Sequence, residues 1–270
     1  MPEGLDKLAD AIGNTLKTAP TLYEDALQPT VQEVGKFAAR IPRAINAAFS
    51  GLDKWILSKE YAIDETKKLL AQKLENVDPE KIIEPEPYVA IPAIQAISYS
   101  MNSEELRNLY ANLLAKAMNF DTKDFVHPSF VEIIKQMSPI DALVLNEIAQ
   151  SNFFPLVNLS IKQYESLDLN PIKKMQGAKN VKSYPNITYI TFASYESVLV
   201  SLDNLLRLKL IEERISLNKE IPQKILNTTL YNNFKKELQS LISGDNLEIE
   251  EQVHSFTMSF LGKNFCAICI

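Results

Sequence analysis

Glycine is scarce in this sequence, seven residues in 270 against fourteen prolines. That balance argues against a glycine-rich phosphate-binding architecture, and no phosphate-binding glycine loop occurs. Histidine and cysteine number two each, which leaves few ligands for a metal site and few bases for histidine-dependent catalysis. No His-Glu-x-x-His or Gly-x-Ser-x-Gly motif is present. Long apolar runs are missing as well. The most apolar segment lies between Arg43 and Asp53, far short of the ~20 residues that a membrane span needs. Met1 to Asp10 has neither a basic start nor an apolar core, so no secretory signal is expected. The tail Cys266-Ala-Ile-Cys-Ile270 invites a prenylation reading, but that box needs cysteine where Ala267 stands. A net charge of −6 provides no global positive field for nucleic acid. Two cysteines without an export signal predict free thiols in a reducing cytoplasm.

What is present is the composition of an ordinary folded chain, 46% hydrophobic and 23% charged, which excludes a disordered one. The first half reads as helix throughout. Residues 1–33 are acidic, with Pro20 and Pro29 breaking them into short pieces. The character then changes. From Val34 to Leu57 the charges are Lys36, Arg40, Arg43 and Lys54 against Asp53 alone. At about 100° per residue, Phe37, Ile41, Ala44, Ile45, Ala48, Phe49, Leu52, Trp55 and Ile56 share one face. Lys36, Arg40, Arg43, Asn46, Ser50, Asp53 and Lys54 share the other. Pro42 is expected to start or kink this helix, because it removes a donor from the ladder. Two readings are open. The helix packs its apolar face into the core, as most amphipathic helices do, or it lies in a membrane interface with Trp55 at headgroup depth.

Further helices are predicted over 58–76, from Val89 to Ser100, and after the Ser103 cap, with Leu106, Leu109, Tyr110, Leu113, Leu114 and Ala117 as the buried stripe. Glu84-Pro-Glu-Pro87 forces an extended turn between the first two. His127-Pro-Ser-Phe130 opens a short helix ending near Met137. Ser138-Pro-Ile-Asp141 begins a second unit, whose helix runs to about Gln150. A polar stretch of little pattern follows, then a basic loop from Lys173 to Lys182. Ser194-Tyr-Glu-Ser197 is a strong helix start. Strand-like sequence follows at Leu208–Ile215 and again at Val253–Ser259, separated by a helical insertion and followed by a final apolar helix.

That order is the order of a winged helix-turn-helix. Its would-be recognition helix, Ser194–Leu210, carries Glu196, Asp203, Arg207 and Lys209, which sum to zero. A groove-reading helix should offer arginine or lysine to phosphates and bases, so packing or partner binding fits this one better than DNA. The expectation is therefore a mainly α chain: a multi-helix domain over 1–137, then a winged-helix-like α+β domain over 138–270 with a helical insertion at about 220–250.

Four constellations invite chemistry, and for each the structural reading is the stronger. Cys266-x-x-Cys269 has redox or zinc spacing, but its flanks are apolar and no second pair accompanies it. Glu65-Thr-Lys67, near Asp53 and Asp64, echoes a nuclease signature that wants its carboxylates on strands around magnesium. His127 precedes a proline at a helix start, a place for a cap, and no serine or cysteine nucleophile has an obvious partnership with it. Lys173, Lys174, Lys179 and Lys182 could grip nucleic acid but more often form a solvated loop. No catalytic, cofactor or metal residue is assigned.

Tyr23-Glu-Asp25 with Leu27-Gln-Pro29, Gly35-Lys36, Pro85 to Pro92, Ile97-Ser-Tyr99, Glu105-Leu106, Leu113-Leu114-Ala115 and His127-Pro-Ser-Phe130 resemble, in order, the abortive infection alpha family. Leu210-Ile211 and Thr257 to Gly262 resemble its more variable end. The resemblance implies a bacterial cytoplasmic protein associated with defence against phage, without catalytic residues to carry over. A phage or host protein is the expected trigger, the inner-membrane surface is a further candidate contact, and nucleic acid is not expected as a partner. The residues expected to touch membrane or partner are Phe37, Ile41, Ile45, Phe49, Leu52, Trp55 and Ile56 with Arg40, Arg43 and Lys54. A hydrolase or nuclease with an unrecognised site, and a non-toxic sensor of a phage protein, stand as alternatives.

Overall fold

A computed structural model describes residues 40–50, 60–100, 102–164, 178–215, 220–243 and 246–270. The first half is helical. Helix α1 (Arg40–Ser50) and helix α2 (Glu60–Leu74) lead to a single 3-10 turn at Pro79–Lys81, where Asp78 accepts the Glu80 N–H at 3.0 Å. Helix α3 (Pro87–Tyr99) starts on Pro87, a residue that suits a first turn because its missing N–H has no partner to lose. Its residues Val89, Ala90, Ala93, Ile94, Ala96 and Ile97 are all buried in the core. Helix α4 (Glu104–Ala117) is capped by Ser103, which accepts the Leu106 N–H, and has Glu104 and Glu105 at its positive end. Helix α5 (Ser129–Lys135) and helix α6 (Pro139–Ala149) follow, and α6 begins with a full capping box between Ser138 and Asp141.

The second half carries the sheet. Strands β1 (Phe154–Gln163), β2 (Lys179–Ile187), β3 (Ile211–Ile215) and β4 (Leu247–Met258) pair antiparallel in the order β2-β1-β4-β3. Helix α7 (Tyr195–Arg207) precedes β3. Helices α8 (Gln223–Leu226) and α9 (Thr229–Leu241) fall between β3 and β4, and helix α10 (Phe260–Cys269) closes the described chain.

The expectation of a mainly α chain with a winged-helix-like end is overturned. Of the described residues 56% are helical and 19% strand, and they form a sheet of four antiparallel strands where two were expected. The stretch read as polar and patternless is β1. Its odd positions Val157, Leu159 and Ile161 are buried on one face, and its even positions Asn158, Ser160 and Lys162 share the other, which is the alternation of a strand. The basic loop is in part β2, an edge strand whose lysines and Pro185 suit an unpaired border. Lys173 and Lys174 lie outside the described residues.

The sheet divides two apolar clusters. Phe154 and Leu156 of β1, Phe256 and Met258 of β4 and Ile211 of β3 join the large core built by α1 through α7 and α10. Val157, Leu159, Ile161 and Ile187 face the other way, onto Ile225, Tyr231 and Leu238 of α8 and α9. There Tyr184 stacks on Phe234 with centroids 3.8 Å apart, and Tyr195 meets the same ring edge-on at 5.1 Å. The large core runs without interruption from Ile45 to Cys269.

The corner between α7 and β3 fixes the last helix. Helix α7 ends in a Schellman arrangement, with Leu210 N–H donating to Leu205 O and Lys209 N–H to Leu206 O. Lys209 takes the left-handed conformation, φ 58°, at the position where glycine is usual. Ser259 then donates its N–H to Leu210 O at 3.0 Å and its hydroxyl to Lys209 O. Gly262 lies so close that a Cβ would sit 1.9 Å from Leu210 O.

Candidate functional site

The described part of the amphipathic segment is α1, and its two faces are used differently. Ile45 is 4% exposed, and Ile41 and Ala44 pack partly buried beside it in the large core, against α2 and α3. Arg40 and Arg43 point outward. Arg40 donates through Nη1 to Pro79 O at 3.0 Å, a tie between the start of α1 and the 3-10 turn 39 residues later. Phe49 falls within the helix but its side chain lies outside the described residues, as do Phe37, Leu52, Lys54, Trp55 and Ile56 altogether.

The other residues weighed for chemistry are engaged locally. Cys269 is fully buried, and burial pushes the half-buried Cys266 thiol up to about 12, so neither offers a reactive thiolate near neutrality. His127 is exposed, and its Nδ1 accepts the Ser129 N–H at 3.1 Å and lies 2.6 Å from the Ser129 hydroxyl, a closed turn at the start of α5. Glu65 pairs with Lys68 at 3.3 Å along α2. Asp53 lies outside the described residues. Lys182 on β2 is bound to Glu237 of α9 and lies 5.3 Å from the Tyr184 ring centre, a load-sharing contact between strand and helix. Among the described residues no three His, Cys, Asp or Glu side chains are grouped to hold a metal, and no helix is long and apolar enough to cross a membrane.

His254 is a buried polar residue that sequence reasoning passed over. It sits on the central strand β4, 7% exposed, between neighbours on β1 and β3. Its Nε2 is 3.3 Å from Asn158 Oδ1 and its Nδ1 3.1 Å from Glu213 Oε1. Burial lowers its pKa below the ordinary imidazole value, and the Glu213 carboxylate opposes that shift.

Among the described residues, an open groove of about 610 Å³ lies between the α5–α6 corner and α7. Helix α7 contributes Glu196, Ser197, Val200, Ser201 and Asn204, one stripe by helical spacing. The corner contributes Lys135, Met137, Ser138, Ile140 and Asp141. A polar brace holds the two sides together. Asn204 Nδ2 donates to Gln136 O at 2.8 Å and to Asp141 Oδ2 at 2.9 Å, while Asp141 Oδ2 also accepts the Ser138 N–H at 2.6 Å. Arg207 completes it, donating to Asn204 Oδ1 and to Gln136 Oε1. Asp141 is thus 3% exposed yet matched on its Oδ2 by two donors. Inside α7 the residues Val198, Leu202 and Leu205 turn to the core, so the helix once considered for DNA reading is anchored by its leucines.

Both motifs that line the groove, Ser138-Pro-Ile-Asp141 and Ser194-Tyr-Glu-Ser197, were legible as helix starts. Their meeting was not, because it depends on contacts about 60 to 70 residues apart in sequence.

A family model described as abortive infection alpha matches residues 58–269. No curated protein and no solved structure matches the chain. The matched region takes in every described helix and strand after α1, including both walls of the groove, and leaves α1 outside. The chain belongs to the abortive infection alpha family, and membership points to a role in abortive infection, in defence against phage.

Proposed function

We propose that this family member protects bacteria from phage by binding rather than by covalent chemistry, with the segment around α1 as the element that changes partner. In the resting protein α1 is docked on the helical core from the cytoplasmic side of the cell envelope. On infection it is released to the inner-membrane surface, its arginines toward anionic lipid and its apolar face toward the acyl boundary.

The observation that carries this reading is how α1 is held. Among the described residues its attachment includes Ile45, the flanking Ile41 and Ala44, and an exposed hydrogen bond from Arg40. Burial of one isoleucine contributes about 1.5–3 kcal/mol. A hydrogen bond of this kind contributes about 0.5–1.5 kcal/mol. Contacts of that size are within what preferential binding to the released state can offset. Helix α1 precedes the family match, so its role is argued from geometry and charge alone.

The test is fractionation of cells before and after phage challenge. The chain is expected to move into the membrane fraction on infection, and Phe49→Glu or the double change Arg40→Glu, Arg43→Glu should stop both movement and protection while the purified variants keep their fold. A chain that stays out of the membrane fraction in protected cells overturns the membrane reading and directs the search to a protein partner recovered with it. Degradation of nucleic acid in infected cells that is lost in Glu65→Ala or His127→Ala would instead make the protein an enzyme.

A further inference from the structure

The sheet has two edge strands, and they are finished differently. Strand β2 is guarded. Its charges are lysines alone, Pro185 has no N–H to offer, and its register against β1 shifts twice. Charge of one sign, proline and bulges are devices by which proteins keep an edge from pairing with another chain. Strand β3 lacks all three. Ile211-Glu-Glu-Arg-Ile215 contains no proline, pairs with β4 residue for residue without a shift, and carries charges of both signs. Among the described residues it has no neighbour on its other side, and Glu212, Glu213 and Arg214 are all exposed.

The main chain of β3 alternates. Leu210 O accepts the Ser259 N–H at 3.0 Å, and Arg214 O accepts the Ser255 hydroxyl at 3.4 Å. The even positions therefore turn their polar groups to β4, and Ile211, Glu213 and Ile215 aim N–H and C=O at the open edge. Antiparallel pairing of two copies around a two-fold axis at Glu213 sets Glu213 opposite its own mate and Ile211 opposite Ile215. Those are the outward-facing residues, so each exchanges both main-chain bonds across the axis. The same register sets Glu212 of each copy opposite Arg214 of the other, at the non-hydrogen-bonded positions where side chains come closest. Glu212 and Arg214 already pair within the strand, Nη2 to Oε1 at 2.6 Å, so two copies close a ring of alternating charges. An axis at Glu212 or at Arg214 would instead set like charges against each other at those close positions. The cost of the favoured register is Glu213 facing Glu213, with both carboxylates on the exposed border.

We propose that the open edge of β3 joins the same edge of a second copy of this chain, antiparallel and centred on Glu213, so that two four-stranded sheets become continuous. The occupant is a second copy because the order Glu-x-Arg is complementary to itself when reversed. A strand charged with one sign would meet either Glu212 or Arg214 repulsively. No residue of α1 takes part, so the pairing stands or falls without regard to release of that helix.

The experiment is sedimentation of the full chain at concentrations up to about 0.2 mM, where even a weak dimer is populated. A reversible dimer is expected. Arg214→Glu sets carboxylate against carboxylate at both close positions and should weaken it at least tenfold. The swap Glu212→Arg with Arg214→Glu restores unlike pairs and the parent net charge, and should return the affinity to within threefold of the parent. Glu213→Gln removes the conflict at the axis and should tighten the dimer at least twofold. Hydrogen exchange of the unaltered chain gives the position without any variant. The Glu213 amide should exchange at least tenfold faster on dilution to monomer, while the Glu212 and Arg214 amides, bonded to β4, stay protected throughout. A chain that remains monomeric over the whole range, a dimer that Arg214→Glu leaves intact, a swap that melts like the parent yet fails to restore pairing, or a Glu213 amide indifferent to concentration would each overturn the proposal.

Discussion

Helices α1 and α10 are of similar length, each presents an apolar face, and each leans on the same large core, yet they are held in different ways. Helix α10 inserts Phe265 and Cys269, both fully buried, and Phe265 meets Phe130 edge-on at 5.5 Å. Its end is tied by Asn112 Nδ2, which donates to Cys269 O at 2.8 Å, and its start is seated on the α7–β3 corner by Ser259 and Gly262. Among the described residues, helix α1 inserts Ile45 with Ile41 and Ala44 partly buried beside it, and Arg40 ties its start to Pro79 O. Amphipathicity alone therefore does not say how firmly a helix is attached. That depends on how many large side chains it inserts and how its ends are tied, and among the described residues α10 buries more large side chains than α1 does.

The sharpest way to break the contrast is at Gly262. Any side chain there drives into the Leu210 carbonyl, which is backbone and cannot swing aside. Gly262→Val is expected to cost more than about 4 kcal/mol, in the range reserved for disrupted cores, and chemical denaturation should show α10 and the α7–β3 corner failing together. A milder comparison removes one large side chain from each helix. Phe265→Ala should cost about 3–5 kcal/mol and lower the melting temperature of the whole chain. Ile45→Ala should cost about 2 kcal/mol or slightly more, appearing chiefly as faster hydrogen exchange in α1 with the melting temperature little changed. Equal global losses in the two variants would mean that α1 is as integral as α10. The smallest effect sharpens the picture of the corner. Lys209→Gly relieves a left-handed lysine and should raise stability by about 0.5–1 kcal/mol in the same melts.

What could be read from the chain follows from the range of the interactions. The caps at Ser103, Ser138 and Ser194 were legible because a cap is written in three or four consecutive residues, and each accepts the expected N–H. That the thiols are structural was legible from their apolar flanks, with Cys269 buried and Cys266 partly so. Strand β1 was missed because its partner β4 lies some ninety residues on, and because Asn158, Ser160 and Lys162 dilute the hydrophobicity of Val157, Leu159 and Ile161. Strand β2 was missed because an edge strand needs only one apolar face and fills the rest with lysine. At the site, the segregation of Arg40 and Arg43 from Ile41 and Ile45 was visible in the periodicity. The groove was not, since Asn204 and Asp141 meet only when α7 folds back over the α5–α6 corner.

The contact between Phe130 and Phe265 also sets a schedule. The two rings are made far apart in time on the ribosome, on the order of ten seconds at bacterial rates of about 5–20 residues per second. Until the later ring emerges, the helices of the first half expose the apolar surface that α10 will cover, and Asn112 has no Cys269 carbonyl to bond. The protein therefore reaches its finished core only when residue 269 has left the exit tunnel, and a chain interrupted before that point would be a sticky, incomplete bundle suited to chaperones and proteases.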